Sequence, residues 1–354
     1  MATSLPAGTA TAAFDYPLVD ERIAQHPLAE RDASRLLHLP PDGPPEDRGF
    51  RELPSLLRRG DLLVVNDTRV RAARLRARRA GGGTAEVLVL HPLGDGEHAC
   101  LVRPARRLPP GTRVVCAGGL EAVVGEPVPG HPGARRVRFE GAGADLDAAI
   151  EAAGRVPLPP YIRAALDDPG RYQTVYASGA PASAAAPTAG LHFTPAVLAA
   201  LDAAGVERTA VRLEVGLATF APIRAERVED HPMHTERYAL PETAAAAVAA
   251  VRARGGRVIA AGTTAVRVLE SRAREDGTVE AGEGETDLYL RPGSPVRVVD
   301  GLLTNFHQPR SSLLVLLAAV IGDGRWREAY AHALAHGYRF LSFGDCMLCW
   351  TARP

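Results

Sequence analysis

Lysine is absent from this chain of 354 residues; every one of its 41 basic residues is arginine. That excludes a Schiff-base lysine, a lysine general base and the phosphate-loop lysine of a GxxxxGKS or GxxxxGKT motif. Cysteine is scarce. Cys100, Cys116, Cys346 and Cys349 are too few to staple a chain of this size, so a reducing compartment is consistent with them. The Cys346/Cys349 pair has CxxC spacing but lacks a second close pair, so inert thiols are expected and no metal site. No GxGxxG fingerprint follows a strand. No apolar run reaches membrane-span length, and MATSLPAGTATAAFDY lacks the basic start and apolar core of a signal peptide. A cytoplasmic protein with no membrane partner is expected, and a monomer. Formal net charge is +0, so no global field advertises a polyanionic partner.

Against these absences, a hydrophobic fraction of 46% marks a globular chain, long enough for two cores. Arginine is concentrated from Arg69 to Arg79 (RVRAARLRARR), a patch that on a strand lines one side of a phosphate track or forms a solvated basic face. The densest polar feature lies in Asp300 to Gly322, where Asn305, His307 and Arg310 are wedged between two apolar runs. The pattern predicts a buried strand ending at Leu303, a turn broken by Pro309, and a helix N-capped by Ser311 or Ser312. Such a turn aims backbone N–H groups and a cation at one point, which suits an anionic ligand group.

The opening residues read as α/β material, with the apolar run Leu62 to Val65 entering NDTRV. From about Arg74 to Ile150 the texture changes to short β runs (AEVLVL, HACLVRPA, TRVVCA, RRVRFE) between Gly/Pro clusters. Beyond Pro157 helices and strands alternate again, with alanine-rich helices near Pro195 to Ala204 and Glu242 to Arg254. The fold class expected is α/β: a discontinuous α/β main domain (1–73 and 151–354) with a small all-β barrel inserted at 74–150.

Polar segments recur after strand-like runs in the α/β part: NDTRV, AAPTAGLHF, LEVGLATF, MHTERY, AGTTAVRVLES, TNFHQPR and GYRFLSFGDCML. Ligands of open α/β sheets sit beyond the carboxyl ends of strands, so these segments should converge on one pocket. Singly, each has a scaffold explanation, such as an Asx-turn for NDT. His234 and Glu236, two residues apart, would share a face if MHTERY is a strand.

Taken in order, FDYPLVDERIAQHPLAERDASRLL, GDLLVVNDTRVRAARL, RPARRL, PLPPYI, RYQTVYA, AAPTAGLHFT, MHTERY, TNFHQPR and YRFLSFGD resemble the S-adenosylmethionine:tRNA ribosyltransferase-isomerase family of queuosine biosynthesis over nearly the whole chain. The resemblance implies a transferase and isomerase of tRNA modification that uses S-adenosylmethionine as co-substrate rather than as a true cofactor. Its ribosyl part is transferred to 7-aminomethyl-7-deazaguanine at the tRNA wobble position, giving epoxyqueuosine and releasing adenine and methionine. The family's fold, a discontinuous α/β domain carrying an inserted barrel, agrees with the organisation above. Where the family reads LHVGxGTF this chain reads LEVGLATF, placing Glu214 for histidine and Ala218 for glycine; Gln308 replaces a leucine and Ala221 an arginine.

The sulfonium acidifies the adjacent C5′ hydrogens, so the reaction calls for a histidine or carboxylate base. His192, Glu214, His234, Glu236, His307 and Asp345 are the titratable candidates, His307 foremost. Asn66, Asp67, Thr68, Thr188, Thr263, Thr264 and Asn305 are candidates for substrate contact. Arg69, Arg267, Arg310 and Arg339 are candidates for carboxylate or phosphate contact. Glu214 and His307 are expected in one pocket. The other readings are a relative using S-adenosylmethionine with a different acceptor, and a noncatalytic RNA-binding protein.

Overall fold

The computed structural model describes residues 8–129, 133–140, 145–216, 219 and 221–352. Ala218, one of the departures noted above, lies outside them. The chain divides into two compact units: Met1–Thr68, Pro159–Ser178 and Ala186–Pro354 form the first, Arg69–Leu158 and Gly179–Ala185 the second.

In chain order the strands are β1 (Arg35–Leu39), β2 (Glu46–Gly49), β3 (Leu62–Asn66), β4 (Arg69–Val70), β5 (Arg74–Arg79), β6 (Thr84–Gly94), β7 (Glu97–Arg103), β8 (Arg113–Cys116), β9 (Glu121–Pro127), β10 (Ala134–Glu140), β11 (Pro181–Ser183), β12 (Glu207–Leu213), β13 (Glu236–Leu240), β14 (Val258–Ala261), β15 (Gly282–Thr286), β16 (Gly301–Asn305) and β17 (Cys346–Trp350). The helices are α1 (Leu53–Leu56), α2 (Leu146–Ala153), α3 (Pro195–Ala203), α4 (Glu242–Ala253), α5 (Thr263–Ser271), α6 (Ser312–Ile321) and α7 (Asp323–Ala335).

The first unit is built on a nine-stranded sheet in the order β15-β13-β12-β3-β14-β16-β17-β1-β2. Strand β3 is buried along its whole length and pairs in parallel with β12 and β14, and β14 in turn with β16. Near-continuous apolar runs such as LLVV and VIAA are what strands covered on both faces require. Direction reverses on both sides of this parallel centre: β17 runs antiparallel to β16 with Asn305 opposite Cys346, β1 then runs parallel to β17, and β13 runs antiparallel to β12 with Leu213 opposite Tyr238. This register brings the ends of β3, β12, β14 and β16 and the starts of β13, β17 and β1 to one edge. Asn66, Glu214, Gly262, Asn305, Glu236, Asp345 and Ser34 therefore border that edge.

Helix α6 starts as its sequence directs. Ser311 is the N-cap, its hydroxyl accepting from Leu314 N–H at 3.2 Å, and the helix stops at Gly322, whose φ of 87° favours glycine. The preceding strand runs two residues further than the Leu303 end expected, so Thr304 and Asn305 are ladder residues fixed by pairing.

The second unit is a closed barrel of β10-β7-β6-β5-β8-β9. Its pairs are antiparallel, and β5 alternates as a barrel wall demands: Leu75 and Ala77 are buried while Arg76 and Arg78 are exposed. The parallel pairing of β11 with β4 draws Gly179–Ala185 into this unit, a long-range contact without a local signal.

Leu63 is fully buried in a core with Leu36, Phe50, Ile259 and Leu303. Leu63→Ala should lower unfolding free energy by about 2 to 5 kcal/mol in urea titration. A loss below about 1 kcal/mol would show a core that collapses around the gap and contradict the close packing described.

Candidate active site

Three clefts border this edge. The first, about 330 Å³, is lined by Tyr161, Thr188, Asn305, His307, Gln308 and Ser342 among others. The second, about 430 Å³, includes His231, Met233, His234, Glu236, Arg267 and Tyr289, and shares Thr219 and Leu313 with the first. The third, about 300 Å³, includes Arg31, Ser34, His192 and Arg339, and shares Ser342 with the first.

His307 is buried, with Nε2 2.9 Å from Thr304 Oγ1. Its peptide is held from both sides: the backbone N–H donates to Tyr330 Oη at 2.8 Å, and Tyr16 O–H donates to its carbonyl. Burial pushes the imidazole pKa down to about 3, so the ring is neutral at neutral pH. Among the described residues its Nδ1 has no hydrogen-bond partner.

His192 is buried with both nitrogens engaged, Nδ1 2.8 Å from Ser34 Oγ and Nε2 3.1 Å from Asn305 Nδ2. Its pKa is also pushed down to about 3, by burial first and then by the Arg339 and Arg31 charges. Asn305 Nδ2 also donates to Leu341 O at 3.1 Å.

Glu236 and Arg267 form a buried ion pair. Glu236 Oε1 accepts from Gly216 N–H at 2.7 Å and from Thr219 O–H at 3.0 Å. Arg267 donates to Leu288 O and Thr286 O, each at 3.1 Å. The pair is thus a tie between loops, and neither side chain presents an uncommitted charge to the clefts.

Other sequence expectations meet different geometry. The strand containing Glu236 begins at that residue, leaving His234 exposed before it, so the two do not alternate on one strand, although both line the second cleft. Arg310, expected as a cation aimed at a ligand, is exposed at φ 55° and ion-paired with Asp15. Asp345 is buried with its oxygens accepting from Arg35 N–H at 3.0 Å and Arg339 N–H at 2.8 Å. Glu214 borders the same sheet edge but lines none of the three clefts, so the structure does not place it in a pocket with His307. Its carboxyl is half-buried and raised above the ordinary range by burial, with Arg237 and Arg212 opposing the rise.

The NDT segment is a junction. Asn66 accepts from Thr68 N–H and Leu213 N–H and donates to Leu213 O, each at 3.1 Å, while Asp67 holds Arg212 through two bonds. Thr68 is buried behind it with Oγ1 unpartnered. Thr263 and Thr264 are buried in the first turn of α5. Thr188 lines the first cleft; Arg339 lines the third and donates to Phe343 O. Arg69, in the second unit, is exposed and lies 3.8 Å from Glu151. Sequence reasoning missed Ser34, Tyr16, Thr304 and Tyr330 as partners. Tyr16 and Ser34 lie in the segment FDYPLVDERIAQHPLAERDASRLL and Thr304 in TNFHQPR, whereas Tyr330 on α7 carried no local signal.

All four cysteines are free and buried. Cys346 and Cys349 are three apart on β17, which directs them to opposite faces, so their spacing does not form a chelate. Among the described residues, Asp47, His332 and His336 bring ligand-type atoms within 4.8 Å of one another, but none of them lines a cleft, and Asp47 already holds Arg35 and Tyr338. No helix among the described residues is long and apolar enough to cross a membrane.

The class defined here is an α/β protein whose polar clefts gather at one strand edge of a discontinuous unit, with a barrel carried between its segments. The family profile described as Queuosine biosynthesis protein matches residues 11–349, and the chain belongs to that family. It is 53% identical to an S-adenosylmethionine:tRNA ribosyltransferase-isomerase of Anaeromyxobacter dehalogenans, over 95% of this chain and 97% of that one. It is 49% identical to the protein of the same name in Gloeobacter violaceus, over 96% and 95%. The crystal structure of S-adenosylmethionine tRNA ribosyltransferase from Thermotoga maritima is 37% identical and superposes with a TM-score of 0.55, covering 95% of this chain and 99% of that one.

The depressed histidines set an acid dependence. A group whose folded pKa lies below its unfolded value of 6.5 contributes stability that is complete above that value and lost as pH falls towards about 3. His192→Gln should therefore flatten the decline of the urea midpoint across that window. An unchanged slope would mean that the His192 ring is already charged in the folded state.

Proposed function

We infer that this chain transfers and isomerises the ribosyl part of S-adenosylmethionine onto 7-aminomethyl-7-deazaguanine in tRNA, giving epoxyqueuosine and releasing adenine and methionine. What carries this reading is similarity at about half identity to relatives of that named activity, over at least 95% of both chains. S-adenosylmethionine is a co-substrate here, and the partner is tRNA with the modified deazaguanine at its wobble position.

The geometry supports a division of roles at the first cleft. Starting the ribose rearrangement requires a base for a C5′ proton beside the sulfonium. Glu236 and Asp345 have their oxygens committed and His192 both nitrogens, whereas His307 keeps Nδ1 unpartnered and is neutral. His307 is accordingly assigned to proton transfer or to direct contact with the reacting ribose. Glu214, with its raised carboxyl, borders the same sheet edge outside the three clefts and is assigned as a proton acceptor for a step after donor binding. Thr188, Thr219 and Asn305 supply hydrogen bonds in that cleft.

Incubation with S-adenosylmethionine and tRNA bearing the aminomethyl-deazaguanine base, followed by nucleoside mass analysis, should yield epoxyqueuosine. His307→Ala and Glu214→Gln should each lower turnover by roughly 10²–10⁴-fold while donor binding persists. Unmodified tRNA after incubation with wild type would overturn the function; wild-type turnover in Glu214→Gln would remove that residue from proton transfer.

The barrel arginines suit tRNA phosphates. Arg76 and Arg78 are exposed on β5, with no ion pair to a described residue. Replacing Arg76, Arg78 and Arg79 should weaken tRNA binding and lower its salt slope by roughly one per lost contact, with donor affinity unchanged. An unaltered slope would leave this stretch a solvated face.

A further inference from the structure

Asn305 is nearly fully buried in the wall of the first cleft, and its hydrogen bonding is incomplete in one defined way. Leu341 O can only accept, so the atom 3.1 Å from it is the amide nitrogen. The other N–H of the same nitrogen then points to His192 Nε2, which must accept. The His192 proton therefore sits on Nδ1 and is donated to Ser34 Oγ at 2.8 Å, while the Ser34 hydroxyl donates towards Arg31 O. Every group in this chain is satisfied except its last: Asn305 Oδ1 is buried and has no partner. A bare buried carbonyl has lost its water without gaining a partner, a deficit that a ligand N–H or O–H in the cleft would make good.

We propose that Asn305 reads the ribosyl donor, its Oδ1 accepting a hydrogen bond from an N–H or O–H of S-adenosylmethionine, and that His192 is the positioning residue that fixes the amide in that orientation. This rests on the function inferred above. The donor carries such groups in two places, the ribose hydroxyls and the purine amine. If His192 were protonated, or replaced by a residue without an acceptor, the Asn305 amide would lose the partner that sets its direction.

Calorimetric titration separates the possibilities. Wild type, Asn305→Ala, His192→Leu and His192→Gln are titrated with S-adenosylmethionine and with analogues lacking the 2′-hydroxyl, the 3′-hydroxyl or the 6-amino group. One analogue should bind wild type roughly tenfold more weakly than the parent, identifying the group read. That penalty should vanish in Asn305→Ala and His192→Leu and return in His192→Gln, whose amide oxygen restores an acceptor. If Asn305→Ala does not melt cooperatively, the His192 pair carries the comparison. Equal penalties in wild type and the variants, or no penalty in wild type, would overturn the proposal while leaving the function standing. Failure of wild type to bind S-adenosylmethionine would instead overturn the function, and this inference with it.

Discussion

The buried Glu236–Arg267 ion pair is the constraint on which the geometry of the clefts depends. It joins the start of β13 to α5 and gathers Gly216, Thr219, Thr286 and Leu288 around the two side chains. A buried pair is weak evidence for net stability, since desolvating two charges can cancel their attraction, but removing one partner strands the other at about 3–5 kcal/mol. Its value lies in position. Thr219, which both larger clefts share, is held through Glu236, so the pair fixes the wall between them.

With that pair closed on itself, the neighbouring polar interior is mostly uncharged. His192 and His307 are kept neutral by burial, and Tyr16 and Tyr330 clamp the His307 peptide as neutral hydroxyls. Such a lining suits the inferred donor, whose sulfonium carries a positive charge that protonated imidazoles would repel. Under the proposed function, the catalytic demand falls on groups left uncommitted, His307 Nδ1 and the Glu214 carboxyl.

Much of this was legible in the sequence where the signal is local. The polar wedge before α6, the Ser311 cap, the alanine-rich helices and the short β runs of the barrel follow from spacing and composition. Convergence of NDT, LEV, GTT and NFH on one edge followed from their place after parallel strands. Partners set by tertiary contact were not legible. Arg310 reads as a ligand cation until Asp15, near the other end of the chain, is seen to hold it. His234 and Glu236 read as one face until the strand is found to start at Glu236, leaving His234 outside it. Asp345 reads as an acid or base until two backbone N–H groups occupy it.

The central claim is that neutral imidazoles border the donor site. Nitrogen-15 spectra of histidine-labelled protein at neutral pH, with and without S-adenosylmethionine, test it most directly. The account predicts neutral rings at His192 and His307, the His192 proton on Nδ1, and shifts at both rings on addition of the donor. A protonated ring at either position, or shifts confined to the other histidines at donor saturation, would contradict it.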